Sequence, residues 1–277
     1  MSLTVFLIVL FAAALHAVWN AVVKGGSDTL LTTILVAFTG GLIGLCALPF
    51  LPPVAGVAWY YLAASAVLEI TYYALIAGAY RNSDMSRTYP LMRGTPPLIV
   101  ALVSAFAFGV SLSFPAWIGI ALISAGLISL IFASRGSADP RGVRMALFNA
   151  GIIASYTLVD GFGVRASGAP VTYVMWIFVL TGMPLAAWAL ARRPAILAYA
   201  RRNWHYGLIG GIGTLASYGL VLWAMTQAPI PLVAALRETS ILFGTAIAVF
   251  VLKERVTMAR IAAIVIIALG AIALRLA

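Results

Sequence analysis

Long, uninterrupted hydrophobic stretches alternate with short connections along the whole chain. A helix needs about 20 mostly apolar residues to cross the hydrocarbon of a bilayer. The stretches are continuous, whereas the strands of a membrane barrel alternate apolar and polar residues with a period of two. The pattern therefore predicts an all-α polytopic membrane protein. Ten stretches are long enough for transmembrane helices: residues 3–23, 29–50, 58–80, 90–110, 115–134, 145–164, 170–191, 205–224, 232–252 and 257–275.

The composition excludes a soluble enzyme. Of the 277 residues, 64% are hydrophobic and 9% are charged, whereas a soluble domain has about 45–50% apolar and about 25% charged residues. The single cysteine, Cys46, rules out an intramolecular disulfide or a thiolate metal site, and the two histidines lie in different regions. No phosphate-binding loop for ATP is present in the sequence. We therefore expect no cofactor and no metal.

The basic residues are distributed unequally between the two sides of the predicted bundle. Lys and Arg number 17 against seven acidic residues, which gives a formal net charge of +10. Arg165 and Arg275 fall on the side of the N-terminus, Arg93 and Arg237 fall within predicted helices, and the other 13 fall on the opposite side. Because basic loops of membrane proteins face the cytoplasm, both termini are predicted to lie outside it.

The second half of the chain resembles the first. Residues 79–132 align with 224–274 at an offset of about 144, so that Arg93 matches Arg237 and Gly126 matches Gly270. Upstream, Thr39-Gly40 matches Thr181-Gly182 after a short gap. The common order and spacing of these matches predict an internal repeat.

Each repeat unit contains five predicted helices, which is an odd number. The second unit, residues 144–277, therefore crosses the membrane in the opposite sense to the first, residues 1–135. Many secondary transporters use such inverted repeats to alternate between two open states around a central cavity. The alternative is a duplication that serves stability alone.

Five ionisable residues lie within the predicted helices. Charged groups in a membrane helix cost about 2.5–3.5 kcal/mol each on insertion scales and usually face a cavity or a partner. One alternative is a set of internal ion pairs that fix helix register, with Arg237 pairing with Asp160 or Glu238. The five are Glu69, Arg93, Asp160, Arg237 and Glu238.

Polar and aromatic residues share faces on four predicted helices at spacings of three and four residues. A lipid-facing surface would not collect polar groups in this way, so we expect these stripes to line one cavity. The alternative is hydrogen bonding between helices, worth about 0.6 kcal/mol on average in membranes. The stripes contain Trp19 and Asn20 beside His16, Glu69 with Tyr72 and Tyr73, Tyr156 with Asp160, and Ser217 with Tyr218, followed by Trp223.

Prolines interrupt one predicted helix of the first half and stand at the beginning of its counterpart in the second half. Pro90 and the pair Pro96-Pro97 flank Arg93, and Pro229 and Pro231 precede Arg237. Proline removes a backbone donor and kinks a helix. Interruptions at matching positions of two halves point to a transporter's binding site or hinge.

Several segments resemble a known family. These are Leu15-His16-Ala17-Val18-Trp19-Asn20, Tyr89-Pro90-Leu91-Met92-Arg93-Gly94, and Leu252-Lys253-Glu254-Arg255-Val256-Thr257, which is similar to a G-E-R-x-T turn with Lys in place of Gly. With ten helices arranged as five plus five, the chain resembles the EamA-type members of the drug/metabolite transporter superfamily. The corresponding turn of the first half, residues 108–113, lacks the Glu-Arg pair.

The resemblance implies export of small metabolites through a cavity between the two halves. The aromatic stripe looks most like the amino-acid exporters, including the aromatic-amino-acid type. The expected function is secondary transport of amino acids or similar amphipathic metabolites out across a bacterial inner membrane, with the lipid bilayer as surroundings and no nucleic acid partner. Arg93 and Arg237 are expected to contact a carboxylate, and Glu69, Asp160 and Glu238 are candidate proton or countercharge sites. The alternatives are export of drugs or other metabolites, a passive channel and a membrane-embedded enzyme.

Overall fold

The long apolar stretches of the described chain form helices. The computed structural model describes residues 1–82, 85–133, 140–251, 253 and 256–277. The structure is 86% helical, and no strand occurs among the described residues. The helices are α1 Leu3–Gly25, α2 Thr29–Ala47, α3 Ala58–Asn82, α4 Met85–Gly94, α5 Pro96–Phe106, α6 Phe114–Ala133, α7 Pro140–Ala166, α8 Pro170–Arg192, α9 Ile196–Gln227, α10 Ile230–Arg237, α11 Ser240–Phe250 and α12 Met258–Leu276.

The structure confirms an all-helical protein of polytopic membrane type. Eight helical segments of the described chain are long and apolar enough to cross a bilayer. The helix α3 and the pair α4–α5 occupy the two remaining predicted stretches, and the count of ten transmembrane helices stays a prediction. Residues 134 and 135, where the first repeat unit is predicted to end, lie outside the described residues, as do Leu252, Glu254 and Arg255.

Two of the predicted transmembrane helices are each split in two. The first breaks at Thr95, directly before Pro96-Pro97, as the proline pattern suggests. The second breaks at Glu238 and Thr239, between α10 and α11. Pro229 and Pro231 instead stand at the beginning of α10, where a missing N–H costs least. The two prolines therefore begin this segment, as the sequence places them, and the interruption of the helix follows Arg237.

The main helix contacts join the two halves of the chain. The helix α2 packs on α8 and α6 packs on α12, while α3 packs on α7 and α1 packs on α9. In the predicted repeat α1 corresponds to α7, α2 to α8, α3 to α9 and α6 to α12. If each helix is replaced by its counterpart, the α3–α7 contact becomes the α9–α1 contact, and the α2–α8 and α6–α12 contacts stay the same. These contacts agree with a two-fold relation between the halves, and the inverted repeat itself stays a prediction.

The α6–α12 contact depends on small residues. A Cβ atom on Gly270 would lie 2.8 Å from the Gly119 carbonyl oxygen, and one on Gly119 would lie 2.9 Å from the Gly270 carbonyl oxygen. Seven residues after Gly119 on α6, a Cβ on Gly126 would lie 3.0 Å from the Ala263 carbonyl oxygen. Backbone therefore meets backbone along this contact, which is the close approach that small residues permit in membrane bundles.

The main buried cluster lies next to one of the two faces of the bundle and contains residues of both sequence halves. Met1 and Arg275 meet through a hydrogen bond of 3.1 Å from Arg275 to the Met1 carbonyl, and we call the face where they meet the terminal face. The cluster includes the terminal-face parts of the long helices, such as Val5 to Ala12 of α1 and Val221 to Met225 of α9. Two smaller clusters lie farther from this face. The described helices are thus most tightly packed next to the terminal face.

We expect Gly270→Ala to destabilise the protein, because even a methyl group would meet the backbone of α6. The free energy of unfolding should fall by about 1–3 kcal/mol, as in overpacked cores, measured by thermal unfolding of the purified protein in detergent. The matched control is Gly244→Ala in α11, where a Cβ meets nothing within 4 Å. Equal melting temperatures for the two variants would contradict this description of the contact.

Candidate functional site

An ion-pair network joins the two split helices near the middle of the bundle. Arg93 lies at the end of α4, and Glu238 directly follows α10. The Nε of Arg93 lies 2.9 Å from Oε2 of Glu238, and a terminal nitrogen of Arg237 lies 3.6 Å from Oε1 of the same carboxylate. The Glu238 side chain is 3% exposed, so this single carboxylate is a buried partner for two guanidinium groups. Of the two pairings expected for Arg237, the structure shows the one with Glu238.

Among the contacts of the described residues, this network has more hydrogen-bond donors than acceptors. Nε of Arg237 is buried without a hydrogen-bond partner among the described residues. Nε1 of Trp19 lies 3.3 Å from Nδ1 of His16, and a terminal nitrogen of Arg93 lies 3.4 Å from Nε2 of the same ring. Both neighbours of the imidazole are donors, whereas a neutral imidazole accepts through only one nitrogen. We call His16, Arg93, Arg237 and Glu238 the donor pole, because it suits an additional anionic acceptor.

Two carboxylates form an acidic pole on the neighbouring helices. Asp160 on α7 is fully buried and accepts hydrogen bonds from the hydroxyls of Tyr173, at 3.2 Å, and Tyr218, at 2.5 Å. Glu69 on α3 is half-buried and lies within electrostatic range of Asp160 and of Arg237. Two phenolic donors stabilise a charge that burial would otherwise penalise. We call Glu69 and Asp160 the acidic pole.

A glycine makes room for one of these donors. A Cβ on Gly163 would lie 2.1 Å from the Tyr173 hydroxyl oxygen. Gly163 stands three residues after Asp160 on α7, so the missing side chain leaves the space through which Tyr173 reaches the carboxylate. Sequence reasoning missed Tyr173, since a tyrosine near a helix end is ordinarily read as an interfacial aromatic residue.

Aromatic side chains line the region between the poles. The rings of Tyr72 and Tyr156 meet edge to face with centroids 6.0 Å apart, and Tyr72 and Tyr73 do so at 5.2 Å. Trp19 packs edge to face on His16 at 5.1 Å. Tyr72, Tyr73 and Trp19 are half-buried, whereas Tyr156 is 8% exposed. These four residues, Trp19, Tyr72, Tyr73 and Tyr156, form what we call the aromatic wall.

Three predicted site residues make other contacts. Ser217 is 2% exposed, and its hydroxyl donates to the Ala12 carbonyl at 2.8 Å across the α1–α9 contact. Asn20 donates to the His16 carbonyl of its own helix at 2.7 Å. Trp223 packs against the main buried cluster near the end of α9. Ten of the 13 predicted residues thus belong to the two poles or to the aromatic wall or, in the case of Tyr218, donate a hydrogen bond to Asp160. Ser217 instead makes a contact between two packed helices.

Comparisons with known proteins agree with this architecture. A model of the EamA-like transporter family matches residues 140–276. The uncharacterized protein y4nH of Sinorhizobium fredii (strain NBRC 101917 / NGR234) is 32% identical over 90 residues, which cover 31% of this chain and 74% of that protein. A protein crystal structure superposes with a TM-score of 0.76 at 20% sequence identity, covering 99% of this chain and 96% of that chain. The last likeness shows a shared fold.

Because Glu238 serves two arginines, we expect its loss to cost more than the loss of one arginine. Glu238→Met leaves two buried guanidinium groups without their carboxylate, which should lower the free energy of unfolding by about 3–5 kcal/mol. Arg93→Met leaves the Arg237–Glu238 pair in place and should cost about 1–2 kcal/mol. Thermal unfolding of both purified variants measures the difference. Equal losses would show that Glu238 is not the shared partner.

Proposed function

Because residues 140–276 form an EamA-like transporter family domain, which places this membrane protein in the drug/metabolite transporter superfamily, we propose that it exports amino acids or related small amphipathic metabolites by alternating access. Members of the EamA family are transporters rather than enzymes. A small-molecule substrate and a bilayer environment follow from the family. The substrate class, the mechanism, the bacterial inner membrane and the outward position of both termini are our proposals.

The observation that carries the substrate class is the pair of oppositely charged poles beside an aromatic wall. The donor pole holds two arginines against one glutamate, and the acidic pole holds two carboxylates. A zwitterion would place its carboxylate at the donor pole, where donors outnumber acceptors, and its ammonium group at Glu69. The apolar part of the substrate would then lie against the half-buried rings of Tyr72 and Tyr73.

Alternating access is supported by the way the halves interlock. The two split helices carry Arg93 and Arg237 at corresponding positions, and their charged side chains meet at Glu238. The long helices pair between the halves rather than within them. A motion that exchanges the contacts of the two halves would therefore change access to the poles from one face to the other.

The distribution of basic residues supports the proposed orientation. In the structure Arg165 and Arg275 stand near the terminal-face ends of α7 and α12, whereas Lys24 and Arg192 stand at the opposite ends of α1 and α8. The face opposite the termini is the more basic one and would face the cytoplasm. Single cysteines placed at the two ends of the chain can be labelled to locate the termini. The orientation would be contradicted if both termini proved to be cytoplasmic.

We expect purified protein in liposomes to catalyse counterflow of labelled amino acids, with aromatic and large apolar ones preferred. Glu69→Gln should raise KM about tenfold for phenylalanine, because the ammonium group loses its countercharge, a loss of about 1.4 kcal/mol. The matched substrate control is 3-phenylpropionate, which lacks the ammonium group and should show no such loss with this variant. Flux of another substrate class without any amino acid counterflow would overturn the substrate proposal.

We further expect the acidic pole to carry the proton sensitivity of transport. Asp160→Asn and Glu69→Gln cannot release a proton at these positions, so the dependence of counterflow on an imposed pH gradient should disappear in at least one of them. The matched control is Asp28→Asn, because Asp28 caps α2 through a bond from the Leu31 N–H that asparagine can also accept. Unchanged pH dependence in both acidic-pole variants would exclude Glu69 and Asp160 as proton carriers.

A further inference from the structure

Arg165 holds together two helix ends at the terminal face. It is the penultimate residue of α7, and its Nε donates to the Met225 carbonyl at 2.7 Å. One of its terminal nitrogens donates to the Ala228 carbonyl, also at 2.7 Å. Met225 lies in the last turn of α9 and Ala228 directly follows this helix, so the two carbonyls lie at the start of the bend between α9 and α10. The planar guanidinium fork thus spans this bend with two charge-assisted hydrogen bonds.

The sequence explains why one of these carbonyls needs an outside donor. In a continuing helix the Met225 carbonyl would accept from the N–H four residues later, but that residue is Pro229, which has none. The helix α9 ends instead at Gln227, and α10 starts at Ile230. Arg165 supplies the missing donor from a different helix, so the bond depends on how α7 and α9 are placed relative to each other.

The surroundings of Arg165 combine tight packing on one side with free space on the other. The main buried cluster extends through Val221 to Ala228 and Ile230 to Leu236, directly below the bend. Beside it lies a cavity of about 160 Å³, lined by Phe162, Arg165 and Ile230 among others. The bend therefore has packed side chains on one side and free space on the other, which leaves room for it to move.

A basic residue occupies the corresponding place at the opposite face. The helix α1 ends at Gly25 with Lys24 as its penultimate residue, as α7 ends at Ala166 with Arg165. In the predicted repeat α1 and α7 are the first helices of the two inverted units. Their basic ends consequently stand at opposite faces of the bundle.

We propose that Arg165 is a latch that holds the terminal face closed, and that Lys24 is its counterpart when the opposite face closes. Arg165 is a positioning residue: it acts on the α9–α10 bend and does not contact the two poles. This inference rests on the alternating-access part of the proposed function and is independent of the substrate. Release of the two carbonyls to water would let the bend separate from α7 and expose the buried cluster below it.

The test is the accessibility of a cysteine beneath the latch. Val221 is fully buried one turn before Met225, so Val221→Cys in a Cys46→Ser background gives a single reporter. Its reaction with a membrane-impermeant maleimide is followed in whole cells and in inverted vesicles, which expose the two faces separately. Arg165→Ala should raise the labelling rate about tenfold from the terminal face only, equivalent to about 1.4 kcal/mol.

The matched control is Arg275→Ala, which removes an arginine-to-carbonyl bond at the same face but not at the bend. It should leave the labelling rate unchanged. Arg165→Lys keeps the charge without the two-pronged fork and should give an intermediate rate, and it decides the question should the alanine variant not fold. A wild-type rate in both Arg165 variants, or an equal rise from both faces with a lowered melting temperature, would overturn the latch.

Labelling and counterflow separate the two proposals. Raised labelling from the terminal face supports the latch even where no amino acid is transported. Amino acid counterflow with unchanged labelling would support the proposed function and reject the latch.

Discussion

A buried carboxylate shared by two arginines is the interaction on which the centre of this bundle depends. In a bilayer every polar group must find its partner within the protein, and a helix break at mid-depth removes partners that regular backbone would supply. Both breaks, at Thr95 and at Glu238, lie next to the Arg93–Glu238–Arg237 network. The charged side chains and the two helix breaks are thus neighbours near the middle of the bundle.

Under the proposed function, the network also determines what kind of molecule would bind at the centre. Two guanidinium groups and an imidazole offer more donors than Glu238 can accept, whereas Asp160 already accepts from two tyrosines. An incoming anionic group adds acceptors where they are lacking. An incoming cation finds Glu69, which is less enclosed than Asp160. The donor pole thus has donors to spare, and Glu69 of the acidic pole is the more accessible carboxylate, so the two poles suit ligand groups of opposite charge.

Much of the fold could be predicted from the sequence, because bilayer thickness fixes the length of each apolar stretch. The five ionisable residues could also be found, since any charge in such a stretch stands out. Their partners could not all be identified, because Glu238 pairs with Arg93 of the other half and no local spacing reports a contact across 145 positions. In sequence, Ser217 is one small polar residue among many. Only the packing of α9 against α1 gives the hydroxyl of Ser217 a carbonyl partner.

The backbone contact between α6 and α12 has a mechanical consequence. Gly119 and Gly270 bring the backbones of the two helices into direct contact. A rocking movement of the two halves would have this contact as its fulcrum, and displacement would grow with distance from it. Under the proposed alternating access, small tilts at the fulcrum would then become large separations at the far ends of the bundle.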